Sequence, residues 1–365
     1  MKRFLTIFPI ATNVHLIKDV GMIPYILHKE LNYESTLLCY KNDDYYYLEK
    51  EVKGLKIEYL KKIFHNQLFD VLFFLLFNRR EYDVLQVYQL SRINLILCFF
   101  VKICSFNKRK TYLKLDADDQ VLNYLPSKIT KYLLRKIDVV SVENQTYFAY
   151  LNLTMQLGRK IDYVPNGFYD DGVQKPLNFN KKENKILTVG RIGTKQKATE
   201  ILCKAFKKFS IYNQDWRLEI IGPIENEFKP FITNYFKQNP DLRDRVTFTG
   251  PINNRKVLEN YYATAKVFAL TSRYEGFPLV LTEAAKFGCF IISTDLPAVK
   301  DLIDDNHYGK VFPIDDDNYL VDLFKEISNN PHLLEKLSPE FQSFAYEHFY
   351  WPEICKTIDK LVWRK

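Results

Sequence analysis

Between residues 185 and 314 short β-rich runs recur: KILTVG (185–190), WRLEIIG (216–222), RVTFTG (245–250), KVFALTS (266–272), CFIISTD (289–295) and GKVFPI (309–314). Most are separated by segments of helical periodicity, such as TEILCKAFKKFSIY (199–212) and NRKVLENYYATA (254–265). This alternation constrains the fold more than any other feature, because it reads as a parallel sheet wrapped by helices. Several runs end at Gly, Ser or Asp and open into a loop. Ligands of such sheets bind at the carboxyl ends of the strands.

The first half repeats the pattern less regularly, with FLTIFPI (4–10), STLLCY (35–40), YDVLQVY (82–88), KTYLKLD (110–116) and DVVSVE (138–143) as strands and a helix from about Gly21 to Leu31. A chain of 365 residues exceeds one ordinary core. The segment 163–185, rich in Pro, Gly, Asn and charge, is the natural linker. The expected fold is therefore α/β, two Rossmann-like parallel-sheet domains facing each other across a cleft.

Composition narrows the class further. The longest apolar runs, VLFFLLF (71–77) and LILCFFV (95–101), fall far short of the roughly 20 residues that cross a bilayer. The opening MKRFLTIFPIATN reads as a first buried strand rather than a leader. Six scattered cysteines include no C-x-x-C pair and suit a reducing compartment without disulfides or zinc. Of the net charge of +8, most lies in the first half: 24 Lys and Arg against 17 Asp and Glu up to Pro165, then 28 against 27. Clusters at Arg79-Arg80 and Lys108-Arg109-Lys110 directly follow apolar aromatic runs. That arrangement fits either a face touching anionic lipid or a solvated rim beside the core. No nucleic-acid-binding module accompanies the charge.

Two stretches carry candidate chemistry. In RYEGFPLVLTEAAKFG (273–288), Gly276, Phe277 and Pro278 close a loop and a helix follows, with Pro278 placed as its first residue. The free N–H groups at that helix start form an anion site. Glu275 stands at its mouth, and Glu283 about five residues inside, roughly 7.5 Å along the axis. That separation suits two acceptors gripping hydroxyls on either side of a phosphate; alternatively, Glu283 pairs with Lys286 on a wet helix face. In VGRIGTKQKATEIL (189–202), a strand ends at Gly190, Arg191 follows, and Lys197 precedes a helix. A guanidinium and an ammonium converging at a strand end suit a diphosphate and can stabilise a departing phosphate without a metal. Standing alone, Lys195 and Lys197 read as exposed loop lysines.

Taken in order, VPNG (164–167), GR with a following K (190–197), WRLEIIG, VTFTG and SRYEGFPLVLTEA (272–284) resemble the retaining glycosyltransferases of the GT-B fold, family 4, and FYWPEICKTIDKLV (349–362) resembles their closing helix. The resemblance is dense in the second half and only in outline in the first. It implies an acceptor domain over 1–165, a nucleotide-sugar donor domain over 166–345, and a final helix over 346–365 packing back towards the first domain. It implies that Arg191 and Lys197 hold the donor diphosphate with Gly190 and the backbone of Phe277, Pro278 and Leu279. Glu283 would receive the ribose hydroxyls and Glu275 those of the sugar, with Gly276 beside it. Ile252 would flank the base, and Gly21 and Asn166 would approach the donor from elsewhere. Ala198 stands where the family usually has Gly, a change expected to be harmless if the backbone there is ordinary helix. Where many relatives carry a histidine, this chain has Asp116, with His15 a second candidate.

The implied activity is transfer of a sugar, with retention, from a UDP- or GDP-sugar to a hydroxyl of a glycan, lipid-linked intermediate or protein, needing no metal or other cofactor. A cytoplasmic protein, peripheral at the inner membrane face, would suit cell-envelope polysaccharide synthesis. Two other readings share the fold. A non-catalytic partner subunit would have no need of Arg191, Lys197, Glu275 and Glu283. A nucleotide-sugar epimerase would need an acid–base set that the sequence does not offer.

Overall fold

The computed structural model describes residues 1–78, 82–115, 127–153, 157, 159–170, 174 and 176–364. The chain forms two units, Met1–Tyr169 with Phe349–Lys365, and Asp170–His348. The division falls inside the Pro- and Gly-rich segment 163–185.

In the first unit the elements run β1 (Lys2–Ile7), α1 (Asp19–Leu31), β2 (Tyr33–Cys39), β3 (Lys56–Tyr59), α2 (Gln67–Phe77), β4 (Val84–Tyr88), α3 (Arg92–Cys104), β5 (Lys110–Lys114), α4 (Lys128–Lys136), β6 (Val139–Val142), α5 (Gln145–Leu153) and β7 (Asp162–Tyr163). They form one parallel sheet in the order β3-β2-β1-β4-β5-β6-β7. In the second unit follow β8 (Glu183–Val189), α6 (Thr199–Ser210), β9 (Arg217–Ile221), α7 (Lys229–Gln238), β10 (Val246–Gly250), α8 (Arg255–Thr264), β11 (Ala265–Leu270), α9 (Leu279–Lys286), β12 (Phe290–Thr294), α10 (Pro297–Leu302), β13 (Gly309–Phe312), α11 (Asp317–Ser328) and α12 (Pro331–His348). Their sheet is also parallel, in the order β10-β9-β8-β11-β12-β13. Each sheet is thus Rossmann-like. Strand order reverses between β1 and β4 in one unit and between β8 and β11 in the other, and such reversals open a crevice at the carboxyl ends.

The apolar patterning explains the layers. Leu37, Val84, Tyr112 and Val139 face α1 on one side of the first sheet, while Leu5, Leu85, Leu113 and Val140 face α2, α3, α4 and α5 on the other. α6 buries Ile201, Leu202, Ala205, Phe206 and Phe209, a one-face stripe at helical spacing, in the second core. The last helix, α13 (Trp351–Trp363), buries Trp351, Ile354, Cys355, Ile358 and Val362 against Ile23, Ile26 and Leu27 of α1. Phe168 N–H donates to Phe349 O at 2.9 Å and Trp351 N–H to Phe168 O at 3.0 Å, so the returning chain is pinned beside the outgoing one.

β3 and β7 escaped the sequence reading. β3 is a four-residue edge strand carrying Lys56 and Glu58, the charged composition edges use to avoid mispairing, and β7 has only two residues. α1 begins at Asp19, two residues before the expected start, so Gly21 lies inside it. A Cβ at Gly21 would sit 2.2 Å from Leu16 O, so packing against the 13–16 turn already requires glycine there.

Candidate functional site

The loops that leave β8 and β11, on either side of the second unit's strand-order reversal, are laced together. Thr271 Oγ1 donates to Lys197 O at 2.8 Å, and Arg273 N–H to Gln196 O at 2.8 Å. Gln196 Nε2 donates to Tyr274 O at 3.0 Å. Arg273 extends across to Lys195 O at 2.5 Å and to the Glu200 carboxylate at 2.9 Å, while its Nε donates to Asp315. Two segments 70 to 80 residues apart in sequence therefore form one surface.

Three of the predicted side chains meet on it. Lys197 Nζ contacts Glu275 Oε1 at 2.5 Å, with only 18% and 11% of the two side chains exposed. Ser272 Oγ donates to the same carboxylate oxygen at 2.6 Å. Arg191 donates to Gln196 Oε1 at 2.9 Å, and the Gln196 amide lies 3.4 Å from Glu275 Oε2. Gln196, Ser272 and Arg273 were missed from the sequence: each adjoins a singled-out residue, but only the fold shows that they bridge two loops.

The backbone beneath is glycine-dependent at Gly222. Gly222, after β9, has φ of 140°, and a Cβ there would lie 1.8 Å from Gly190 O. At Gly190 itself, a methyl would meet nothing closer than Lys197 Cε at 3.4 Å, an ordinary contact. The protein's own packing thus explains Gly222 but leaves Gly190 open for close approach by something else.

Two expectations are corrected here. Pro278 is the residue before α9 rather than its first, with extended ψ of 93°, and the helix starts at Leu279. Because proline has no N–H, the donors of that turn begin at Leu279 and exclude Pro278. Ala198 is not in ordinary helix: it caps α6 with φ of 45° and ψ of 44°, the left-handed region that favours glycine.

Glu283 lies outside the Lys197–Glu275 network. Sitting in the second turn of α9, it accepts a hydrogen bond from the Tyr262 hydroxyl of α8 at 3.0 Å. Burial raises its pKa above the usual carboxylate range, only partly offset by the nearby Arg255 guanidinium and the Tyr262 bond. Lys286, its expected helix-face partner, adds a smaller attraction than Arg255 does, and its ammonium contacts Glu259 at 2.8 Å and Asp170 at 3.8 Å. Ile252 is half-buried in the loop that leads into α8, the helix carrying Tyr262. Gly276 and Phe277 are half-buried between Glu275 and α9.

Gly21 and Asn166 belong to the first unit. Asn166 is buried, and its Oδ1 accepts no hydrogen bond among the described residues. Asp116 lies outside the described residues. His15 is engaged in its own turn, its Nδ1 accepting from Thr12 N–H at 3.0 Å and its ring lying 5.2 Å from that of Phe8. At this unit's strand ends, fully buried Lys114 lies 3.5 Å from Asp19 and 3.9 Å from buried Glu143. This ion cluster was invisible in the sequence, because its members are separated by up to 124 positions.

Comparison with known proteins agrees with this architecture. Residues 171–344 match the family of glycosyl transferases group 1. The amylovoran biosynthesis glycosyltransferase AmsD of Erwinia amylovora is 29% identical over 61% of this chain and 60% of its own length. A Campylobacter jejuni alpha-1,4-N-acetyl-D-galactosaminyltransferase, whose name gives an undecaprenol-diphosphate-linked substrate, is 27% identical over 59% of this chain and 58% of its own. The chain thus spans under two thirds of either relative. Among solved structures, the Anabaena HepE protein in complex with UDP superposes with a TM-score of 0.71 at 14% identity, covering 99% of both chains. The chain has the GT-B fold of two Rossmann-like units.

Proposed function

We propose that this protein is a retaining glycosyltransferase that moves a sugar from a nucleotide-diphosphate sugar to a hydroxyl acceptor, a glycan or lipid-linked intermediate of cell-envelope polysaccharide. The observation that carries the reading is the junction of Arg191, Lys197 and Glu275 on two laced loops at the strand-order reversal, beside the start of α9. In this reading the donor diphosphate lies over Gly190, whose missing side chain lets the backbone approach. Arg191, Lys197 and the first N–H groups of α9 face its charge.

The Lys197–Glu275 pair holds both groups in place before substrate arrives. On binding, Lys197 turns its charge to phosphate and Glu275 accepts hydroxyls of the transferred sugar. Glu283 receives the ribose, and its burial makes a hydroxyl donor welcome. The acceptor oxygen forms the new glycosidic bond on the face that the phosphate leaves. Its proton passes to the departing phosphate oxygen, so no strong protein base is required. Arg191 and Lys197 stabilise the charge developing there, a role worth 10²–10³ in rate for one such group. They also supply the positive charge for which other transferases use a metal, so activity should survive chelation. The UDP complex of a fold neighbour and the undecaprenol-linked substrate in the Campylobacter relative's name support testing UDP-sugars first as donors and polyprenyl-diphosphate glycans first as acceptors.

The test is product formation from UDP- and GDP-sugars by wild type and Glu275→Ala, with the anomeric configuration of the product read by NMR. Turnover that Glu275→Ala abolishes, with configuration retained, is expected. Equal background release in both proteins would favour a non-catalytic partner subunit, and an inverted product would overturn the retaining mechanism.

A further inference from the structure

We infer that the layer formed by α2, α3 and α4 is a docking surface for an anionic lipid bilayer. These helices cover one face of the first unit's sheet, yet they are apolar on the side away from it as well. On α2, residues 69, 73, 76 and 77 form an outward stripe at helical spacing, and Phe77 is 73% exposed. The rings of Phe64, Phe73 and Phe77 follow one another at 5.8 and 4.5 Å along it. On α3, Ile96, Phe99 and Ile103 repeat the pattern, and Ile103 is 57% exposed. Phe106, in the turn that follows, is 86% exposed at a φ of 51°, a left-handed conformation that disfavours bulky side chains. On α4, Ile129 and Tyr132 are exposed, and Tyr132 packs its ring 6.5 Å from that of Phe99, which joins the α3 and α4 stripes.

A surface helix in water carries its polar residues on the outer side, and contiguous apolar patches mark interaction sites. Charge decides the occupant. Asp70 is the one acidic residue within α2, α3 and α4, and it is buried, accepting from the N–H groups of Ile63 and Phe64. Around the apolar stripes stand exposed Lys61, Lys62, Arg92, Lys108, Lys128 and Arg135. A second copy would bring the same cations against these and repel them. A bilayer with anionic headgroups neutralises the cations and takes the aromatic side chains into its interface. Among the described residues no helix is long and apolar enough to cross a membrane, so the contact is peripheral.

This inference does not depend on the donor-site reading, and its test separates the two. Full-length protein is sedimented with vesicles of phosphatidylcholine alone or with 30% phosphatidylglycerol, and each variant's melting temperature and nucleotide-sugar binding are measured in parallel. The expected result is at least tenfold more protein on the anionic vesicles, lost in 0.5 M salt. Phe77→Glu/Phe106→Glu and Lys128→Glu/Arg135→Glu should each lower binding at least tenfold, while melting temperature and nucleotide-sugar binding stay unchanged. Tyr212→Glu, an exposed aromatic of the second unit, should bind as wild type does. Wild type that ignores anionic vesicles, or binding that survives both double variants, would overturn the assignment. So would a dimer in light scattering that Phe77→Glu dissociates, since the face would then belong to a second copy.

Discussion

The two units share one topology and use charge at their strand ends in opposite ways. In the second, Lys197 and Glu275 sit on loops within reach of solvent, each tied to neighbours that can be exchanged for a ligand. In the first, Lys114 and Glu143 are sealed beneath the surface with Asp19 at the edge. A buried ammonium among carboxylates cannot be released cheaply, whereas a pair on loops can be. The same fold therefore carries a rigid ionic plug in one unit and an exchangeable ionic clasp in the other.

The sharpest way to break this contrast is to remove each ammonium. Lys114→Met should destabilise the protein by about 3–5 kcal/mol, because it strands buried carboxylates. Lys197→Met should cost less, because Glu275 keeps the hydrogen bonds of Ser272 and Gln196; urea unfolding of both variants measures the difference. Equal losses would erase the distinction. The activity effects should run the other way: Arg191→Ala is expected to lower kcat/KM by 10²–10³ with the melting temperature unchanged.

A smaller effect concerns Ala198. Because it is left-handed, Ala198→Gly relieves backbone strain of about 1–2 kcal/mol while removing a buried methyl worth about 0.8 kcal/mol. Glycine's extra unfolded-chain entropy costs about 0.5–1 kcal/mol more. The terms nearly cancel, so the net change should stay below about 1 kcal/mol in either direction, whereas Ala205→Gly in the middle of α6 should cost about 1 kcal/mol or more. Smallest is the pH effect of Glu283. Its raised pKa means that the folded state holds this proton more tightly than the unfolded chain does. It contributes stability that is full below the ordinary carboxylate pKa of about 4.3 and is lost as pH rises through its folded value. Glu283→Gln should remove that decline from the stability–pH curve, and an unchanged slope would show that the carboxyl ionises freely in the fold.

Legibility followed sequence proximity. The second unit's strands could be found because most of the β-rich runs end at a small or acidic residue and helical periods separate most of them. Arg191, Lys197 and Glu275 stood out because each lies in the short stretch between a strand end and the helix that follows. Contacts made between loops were hidden: nothing near Gln196 announces Tyr274, and nothing near Lys114 announces Asp19. Ala198 shows a subtler limit. Its residue type suits a helix, so only the backbone angle, set by the tight turn from Thr194 into α6, reveals what glycine would have supplied. Likewise, β3 was obscured by the charges that protect an edge strand.

The central claim is that the laced loops after β8 and β11 clasp a nucleotide diphosphate. Calorimetric titration with UDP and GDP of wild type and an Arg191→Ala/Lys197→Ala variant, whose folding is verified by its melting curve, tests it most directly. The account expects wild type to bind one of the two nucleotides and the variant to bind it at least tenfold more weakly. Equal affinity in the two proteins, or no binding of either nucleotide by wild type, would contradict it.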